Sequence, residues 1–292
     1  MKCVYLNIGF WLMICFMGCD TNPKTIDVQG HRGCRGLYPE NTIEGFMSAI
    51  KLGVTTLELD VVVNKNNEVI ISHEPFYHPD ITTFPDGIIT DDNDIKKFNI
   101  YTMTFEEMKR FDVGKKVHPR FRNQKKVAAV KPRLEDLFYT LKDKVIRFNI
   151  EIKRVPAEDG VFHPEPKVFV DLVMKEINRF KLEKKVTIQS FDIYTLQLMK
   201  NKYPETELAF LTDDLCFTFE ENIKRLGFLP EIYSPGYDLV TIPLIRLCHK
   251  NQVKIIPWTV NNTGVMRKLI RWNVDGIITD YPDRLIKLLD QR

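Results

Sequence analysis

The chain has almost no excess of charge of either sign. Its 292 residues carry 42 Lys and Arg against 39 Asp and Glu, a net charge of +3 spread along the sequence. That balance excludes a dedicated nucleic-acid surface and leaves room only for local anion pockets. Long apolar runs are also missing. The mostly apolar stretch from Cys3 to Met17 falls short of the roughly 20 residues that span a bilayer. Cysteine is sparse, with six in the whole chain, and the three beyond residue 20 (Cys34, Cys216 and Cys248) lie too far apart for a disulfide framework. Clustered Cys or paired His spacing, the mark of a zinc site, is absent as well. What is there is a globular composition, 44% hydrophobic and 28% charged, in a chain long enough to bury one large core.

The N-terminus reads as a targeting segment. Lys2 precedes the apolar stretch, and Phe16-Met17-Gly18-Cys19 resembles the bacterial lipobox, departing from it at Phe16 and Met17, where Leu and a small residue are usual. Residues 1–18 are therefore expected to be a lipoprotein-type signal peptide. Cys19 is expected to take lipid and residues 19–25 to form a tether. The expected location is exported and lipid-anchored in the bacterial cell envelope, with the membrane engaged through Cys19; an ordinary secretory signal or short signal anchor is the alternative. No protein partner is inferred. Cys34 is read as a small buried or rim residue.

After Thr25, short β-branched runs alternate with amphipathic ones, the pattern of βα units on a parallel sheet. Eight strands are expected, at 26–30, 56–63, 145–153, 185–189, 207–211, 231–234, 253–260 and 276–279. Helices are expected at 41–52, 167–180, 193–202, 218–226, 242–250, 263–271 and 283–289, with Asn41, Asp192 and Asn262 as N-caps. Eight such units predict a (β/α)8 TIM barrel over residues 26–292. A segment of about 74–131, with a helix over 104–111 and a basic stretch over 115–126, is too long for a connection. It predicts a small inserted subdomain over the barrel mouth, after the second strand.

Active sites of such barrels lie at the C-terminal ends of the strands, and several polar residues fall there. His31 and Arg32 follow the first strand. Glu58 and Asp60, two apart in a strand, share one face while Leu57, Leu59 and Val61 pack the other. Asn149, Glu151 and Lys153 share a face in the same way, and Glu151 with Lys153 reads either as a cation and anion site or as a buried ion pair. His73 ends the run Val69 to Ser72. Carboxylate-only ligands point to Ca²⁺ or Mg²⁺, and two histidines suit acid and base work near neutral pH. Arg32 has the fork geometry that fits a phosphate oxygen. Trp258, closing a late strand, either stacks on a small-molecule substrate or belongs to the core. Together these residues suit metal-assisted attack on a phosphodiester.

Eight segments in order, Gly30-His31-Arg32-Gly33, Pro39-Glu40-Asn41-Thr42, Glu58-Leu59-Asp60-Val61, Ser72-His73-Glu74, 149–153, 189–191, 257–261 and 275–282, resemble the glycerophosphodiester phosphodiesterase family. The resemblance implies a barrel with an insertion after the second strand. It also implies one divalent cation on Glu58, Asp60 and Glu151, His31 and His73 as the acid and base pair, and a small-molecule glycerophosphodiester cleaved to sn-glycerol 3-phosphate and an alcohol. Arg32 and Lys153 would neutralise the phosphoryl oxygens. Glu74 departs from the family, which commonly has Asp there. Two other functions compete: a lysophospholipase D acting on membrane lysolipids, which needs an exposed apolar groove in the insertion, and a non-catalytic phosphodiester-binding lipoprotein.

Overall fold

The computed structural model describes residues 25–87 and 95–291. The expected signal peptide, Cys19 and all but the last residue of the tether lie outside the described residues. The elements run β1 (Asp27–Gly30), α1 (Ile43–Leu52), β2 (Thr56–Val63), β3 (Val69–Ile71), α2 (Phe105–Met108), α3 (Leu134–Thr140) and β4 (Arg147–Ile152). Then come α4 (Pro166–Arg179), β5 (Val186–Ser190), α5 (Ile193–Lys202), β6 (Glu207–Thr212), α6 (Phe219–Leu226) and β7 (Ile232–Pro235). The chain ends with α7 (Ile242–Lys250), β8 (Lys254–Ile255), α8 (Thr263–Arg271), β9 (Gly276–Thr279) and α9 (Pro282–Leu289). Parallel strands follow in the order β8-β7-β6-β5-β4-β2-β1-β9. Main-chain bonds from Asp275 to Ile255 (3.0 Å), Ile278 to Pro257 (3.0 Å) and Val260 to Ile278 (2.9 Å) bring the last strand back against β8. The result is the expected parallel eight-stranded α/β barrel.

Alternation along the strands sorts the two faces. Leu57, Leu59, Val61, Phe148, Ile150, Ile188 and Leu208 join the large core beneath the helices, each fully buried side chain being worth roughly 1.5–3 kcal/mol. Ala209, Ile232, Ile256 and Ile278 form a separate cluster with Trp258 packed on it, which fills the barrel interior on one side. On the other side the interior is polar: Asn149 Nδ2 donates to Gln29 (2.8 Å) and Gln189 (2.9 Å), and Gln189 Nε2 donates to Glu58 Oε1 at 2.8 Å. Helices turn one stripe inward, as in α4, where Phe169, Val170, Val173, Met174 and Ile177 are buried at helical spacing.

Three local expectations are corrected and two elements are added. The strand expected at 253–260 has regular pairing only over Lys254–Ile255, because Pro257 has no N–H to give a ladder. The helix expected at 104–111 is one turn, Phe105–Met108. Two elements were not expected: β3, which hairpins antiparallel onto β2, and α3. Asp192 and Asn262 do cap their helices, but α1 is capped by Thr42, whose side chain accepts from Gly45 N–H at 3.1 Å. Asn41 instead takes a left-handed φ of 55° and donates its amide N–H to Asp60.

The insertion has a core of its own. Tyr77, Phe84, Ile100, Met108, Phe111, Val113 and Ala129 pack on Val62 and Ile70 of the β2–β3 hairpin, with Tyr77 and Phe111 stacked at 4.2 Å. It is therefore rigidly joined to the strand pair that ends in His73.

Candidate active site

The Gly30-His31-Arg32-Gly33 turn is shaped by what cannot fit. A Cβ on Gly30 would fall on the Gly33 carbonyl oxygen, and Gly33 itself has φ 89° with the Gly45 backbone against it; only glycine meets both demands. Arg32 between them has φ 50°, which aims its N–H at Glu58 Oε2, 2.9 Å away.

Glu58, Asp60 and Glu151 converge as the strand pattern predicts, with one ligand atom from each lying within 4.8 Å of the others. All three are buried. Burial first, then the charges of Asp60 and Glu151, push the Glu58 carboxyl well above its usual range. Glu151 is raised too, chiefly by burial, although Lys153 Nζ lies 2.8 Å away and opposes the shift. Burial works against Asp60 as well, but Arg32, His73 and Lys153 outweigh it and hold Asp60 low. One Asp60 oxygen accepts from Asn41 Nδ2 at 2.9 Å; the other, Oδ1, is buried without a hydrogen-bond donor. Two raised carboxyls, a third held ionised and an orphaned acidic oxygen are short of positive charge. An all-oxygen cluster with that deficit fits a hard divalent cation.

Both histidines present Nε2 toward this cluster and give Nδ1 to a carboxylate. His31 Nδ1 lies 2.6 Å from Asp280 Oδ1, and its Nε2 is 3.9 Å from Glu58. Burial pushes the His31 pKa down to about 4 in spite of Asp280. Asp280 is itself fixed by Arg35 Nε at 2.9 Å and Asn261 Nδ2 at 2.7 Å. His73 Nδ1 lies 2.6 Å from Glu74 Oε1, and its Nε2 is 3.0 Å from Lys153 Nζ. Carboxylate partners at Nδ1 fix ring orientation and tautomer.

These groups line a cavity of about 640 Å³, with His31, Arg32, Glu58, His73, Glu151, Lys153 and Trp258 all on its wall. Asp60 completes the carboxylate trio beside Glu58 and Glu151. Arg32 is less free than its sequence position suggests: Nη1 is 2.7 Å from Glu40 and Nε 3.3 Å from Asp60. Trp258 donates Nε1–H to the Ser234 carbonyl at 2.9 Å and stands edge-on to Phe191, ring centres 5.3 Å apart. Cys34 is buried, donates to the Gly45 carbonyl at 3.4 Å and has its pKa pushed up to about 12 by burial, the state of an inert core thiol.

Asp280, Arg35, Glu40 and Lys131 have roles that the sequence reading did not assign. Asp280 was legible as an acid directly after the last strand, a position equivalent to His31. Lys131, buried and bonded to Ser72 Oγ at 2.5 Å, carried no signal beyond its place at the end of the insertion.

The family model for glycerophosphoryl diester phosphodiesterases matches residues 31–284. The chain belongs to that family. A glycerophosphodiester phosphodiesterase of Caldanaerobacter subterraneus is 33% identical over 268 residues, covering 91% of this chain and 98% of the relative. Among solved structures, a Silicibacter pomeroyi protein is 26% identical, with a TM-score of 0.82 over 92% of this chain and 95% of that one. An Oleispira antarctica phosphodiesterase, solved with the product sn-glycerol 3-phosphate, is 18% identical with a TM-score of 0.73 over 90% and 96% of the two chains. The family match begins at His31 and takes in both histidines, the carboxylate trio, Lys153, Trp258 and Asp280.

Proposed function

We propose that this family member hydrolyses glycerophosphodiesters to sn-glycerol 3-phosphate and an alcohol, with a divalent cation on Glu58, Asp60 and Glu151 and with His31 and His73 moving the protons. The observation that carries the reading is the pair of carboxylate-oriented imidazoles, His31 on Asp280 and His73 on Glu74, both lining one cavity with a carboxylate trio short of positive charge. When bound, the cation would supply charge neutralisation at the phosphoryl oxygens and acidify a nearby hydroxyl.

His31 is neutral above about pH 4, so it begins as base. It takes the proton of the glycerol 2-hydroxyl as that oxygen attacks phosphorus, and His73, which must enter the step carrying a proton on Nε2, gives it to the departing alkoxide. The new O–P bond closes a cyclic phosphate as the bond to the alcohol breaks. Water then opens the ring, giving its proton to His73 while His31 returns its own to the 2-oxygen, and both groups end as they began. Lys153 serves the phosphoryl oxygens, whose pull on its ammonium frees His73 Nε2. The Glu151–Lys153 pair is in this account both an ion pair and part of the site.

The mouth favours a small soluble diester over a lysolipid. Arg120, Arg122, Lys125 and Lys126 are exposed in the insertion, a charged surface that suits a soluble diester. Export and anchoring through Cys19 belong to the same proposal and rest on residues 1–25 of the sequence. The test is ³¹P NMR of a glycerophosphodiester incubated with the protein: sn-glycerol 3-phosphate should accumulate, and H31A and H73A should each stop it. Either variant turning over at the unaltered rate would contradict the assignment.

A further inference from the structure

Arg120 and Phe121 of the insertion line two cavities at once, the catalytic one and a second of about 490 Å³ beside α9. The two meet at exposed Arg120, with Phe121 fixed beside it. Phe121 is buried edge-on to His118 at 4.7 Å and Tyr281 at 6.1 Å, with the Arg35 and Arg120 guanidiniums 5.1 and 5.4 Å from its ring centre. Gln124 Nε2 donates to the Arg35 and Tyr38 carbonyls, each at 2.7 Å, and Lys125 N–H to Leu37 at 2.8 Å. These bonds fasten the segment to the β1–α1 loop.

The second cavity is cationic. Arg120, Arg122 and Arg284 face one carboxylate, Asp283. Arg120 and Arg122 are exposed, and among the described residues neither has a carboxylate partner. Unpaired guanidiniums are ready-made for a phosphate or carboxylate.

We propose that the second cavity receives the leaving alcohol of the diester and selects one that carries negative charge, such as an inositol phosphate, over a quaternary amine such as choline. Arg120 and Arg122 determine that preference by attracting the anion and repelling the cation. The proposal rests on the hydrolase reading given above.

The experiment compares kcat/KM for glycerophosphoinositol 4-phosphate and glycerophosphocholine at low salt, in the unaltered protein and in the double variant R120Q/R122Q. The anionic substrate should be preferred roughly 10-fold, the worth of two partly exposed ion pairs, through KM rather than kcat. The double substitution, or about 0.5 M NaCl, should bring the ratio near one. A ratio near one in the unaltered protein, or one that survives the substitution, overturns the proposal. Calorimetric binding of glycerophosphoinositol 4-phosphate separates this from the underlying reading. Binding roughly 10-fold weaker in the variant, without turnover of either diester when cation is supplied, supports the pocket and sinks the hydrolase; equal binding by both proteins sinks the pocket.

Discussion

At the N-terminal end of the barrel strands, Glu207 accepts from Lys254 Nζ and Thr187 Oγ1, both at 2.7 Å, and from Arg147. At the C-terminal end, Glu58 accepts from a main-chain N–H and an amide and sits among two more acids. Burial disfavours ionisation of both, yet Lys254 and Thr187 bring Glu207 below its ordinary pKa while Asp60 and Glu151 drive Glu58 above it. Asp27, near Glu207, likewise holds hydroxyls from Thr55 (2.5 Å) and Thr56 (2.7 Å). One end of the barrel pairs its acids with cations and hydroxyls within the protein. The other gathers three acids with little positive charge between them, an arrangement that costs stability and suits a cation. Perturbed carboxyls in a cleft are a functional signature for this reason, and the same residue type at the far end is structural.

Breaking the C-terminal end should have the largest effect. H31A, H73A and E58A are each expected to lower turnover roughly 1,000-fold or more while circular dichroism stays unchanged; a fully active E58A without added metal would remove Glu58 from the cation site. Adding cation should sharpen the contrast. At a concentration about 100 times its Kd, Mg²⁺ or Ca²⁺ should stabilise the protein by about 2.7 kcal/mol, read as a Tm shift that E58Q abolishes. Because Glu58 and Glu151 are raised, cation uptake should release protons and weaken as pH falls.

The depressed His31 pKa gives a signed prediction. A base works above its pKa and is lost as pH falls through it, so the acid limb of kcat/KM attributable to His31 should lie near pH 4. A limb near 6.5, measured with cation saturating, would contradict its buried state. At the N-terminal end, E207Q should cost about 1–2 kcal/mol of stability and leave turnover within roughly twofold, since loss of a structural ion pair touches no reacting atom.

Much of this was readable beforehand because barrel geometry converts sequence position into location. Period-two alternation placed Glu58 with Asp60 and Glu151 with Lys153 on inner faces, and apolar runs ending in His31 and His73 placed both at strand ends. What escaped the sequence was mostly pairing over long separations. Asp280 meets His31 across 249 residues, and no local pattern encodes that bond. Asn41 looked like a helix cap because Asn caps helices in general; it was drawn away by Asp60, with Thr42 next to it able to cap instead. The regular strand expected through Val260 was interrupted by Pro257, a signal that the apolar run around it outweighed.

The most direct test of the account is release of sn-glycerol 3-phosphate from a glycerophosphodiester by protein stripped with EDTA, before and after Mg²⁺ or Ca²⁺ is restored. The account predicts no release from the stripped protein, recovery with one of the two ions, and no recovery in E58Q. Undiminished release from fully stripped protein would show that the acids gathered at the C-terminal end do not hold a cation that the reaction needs.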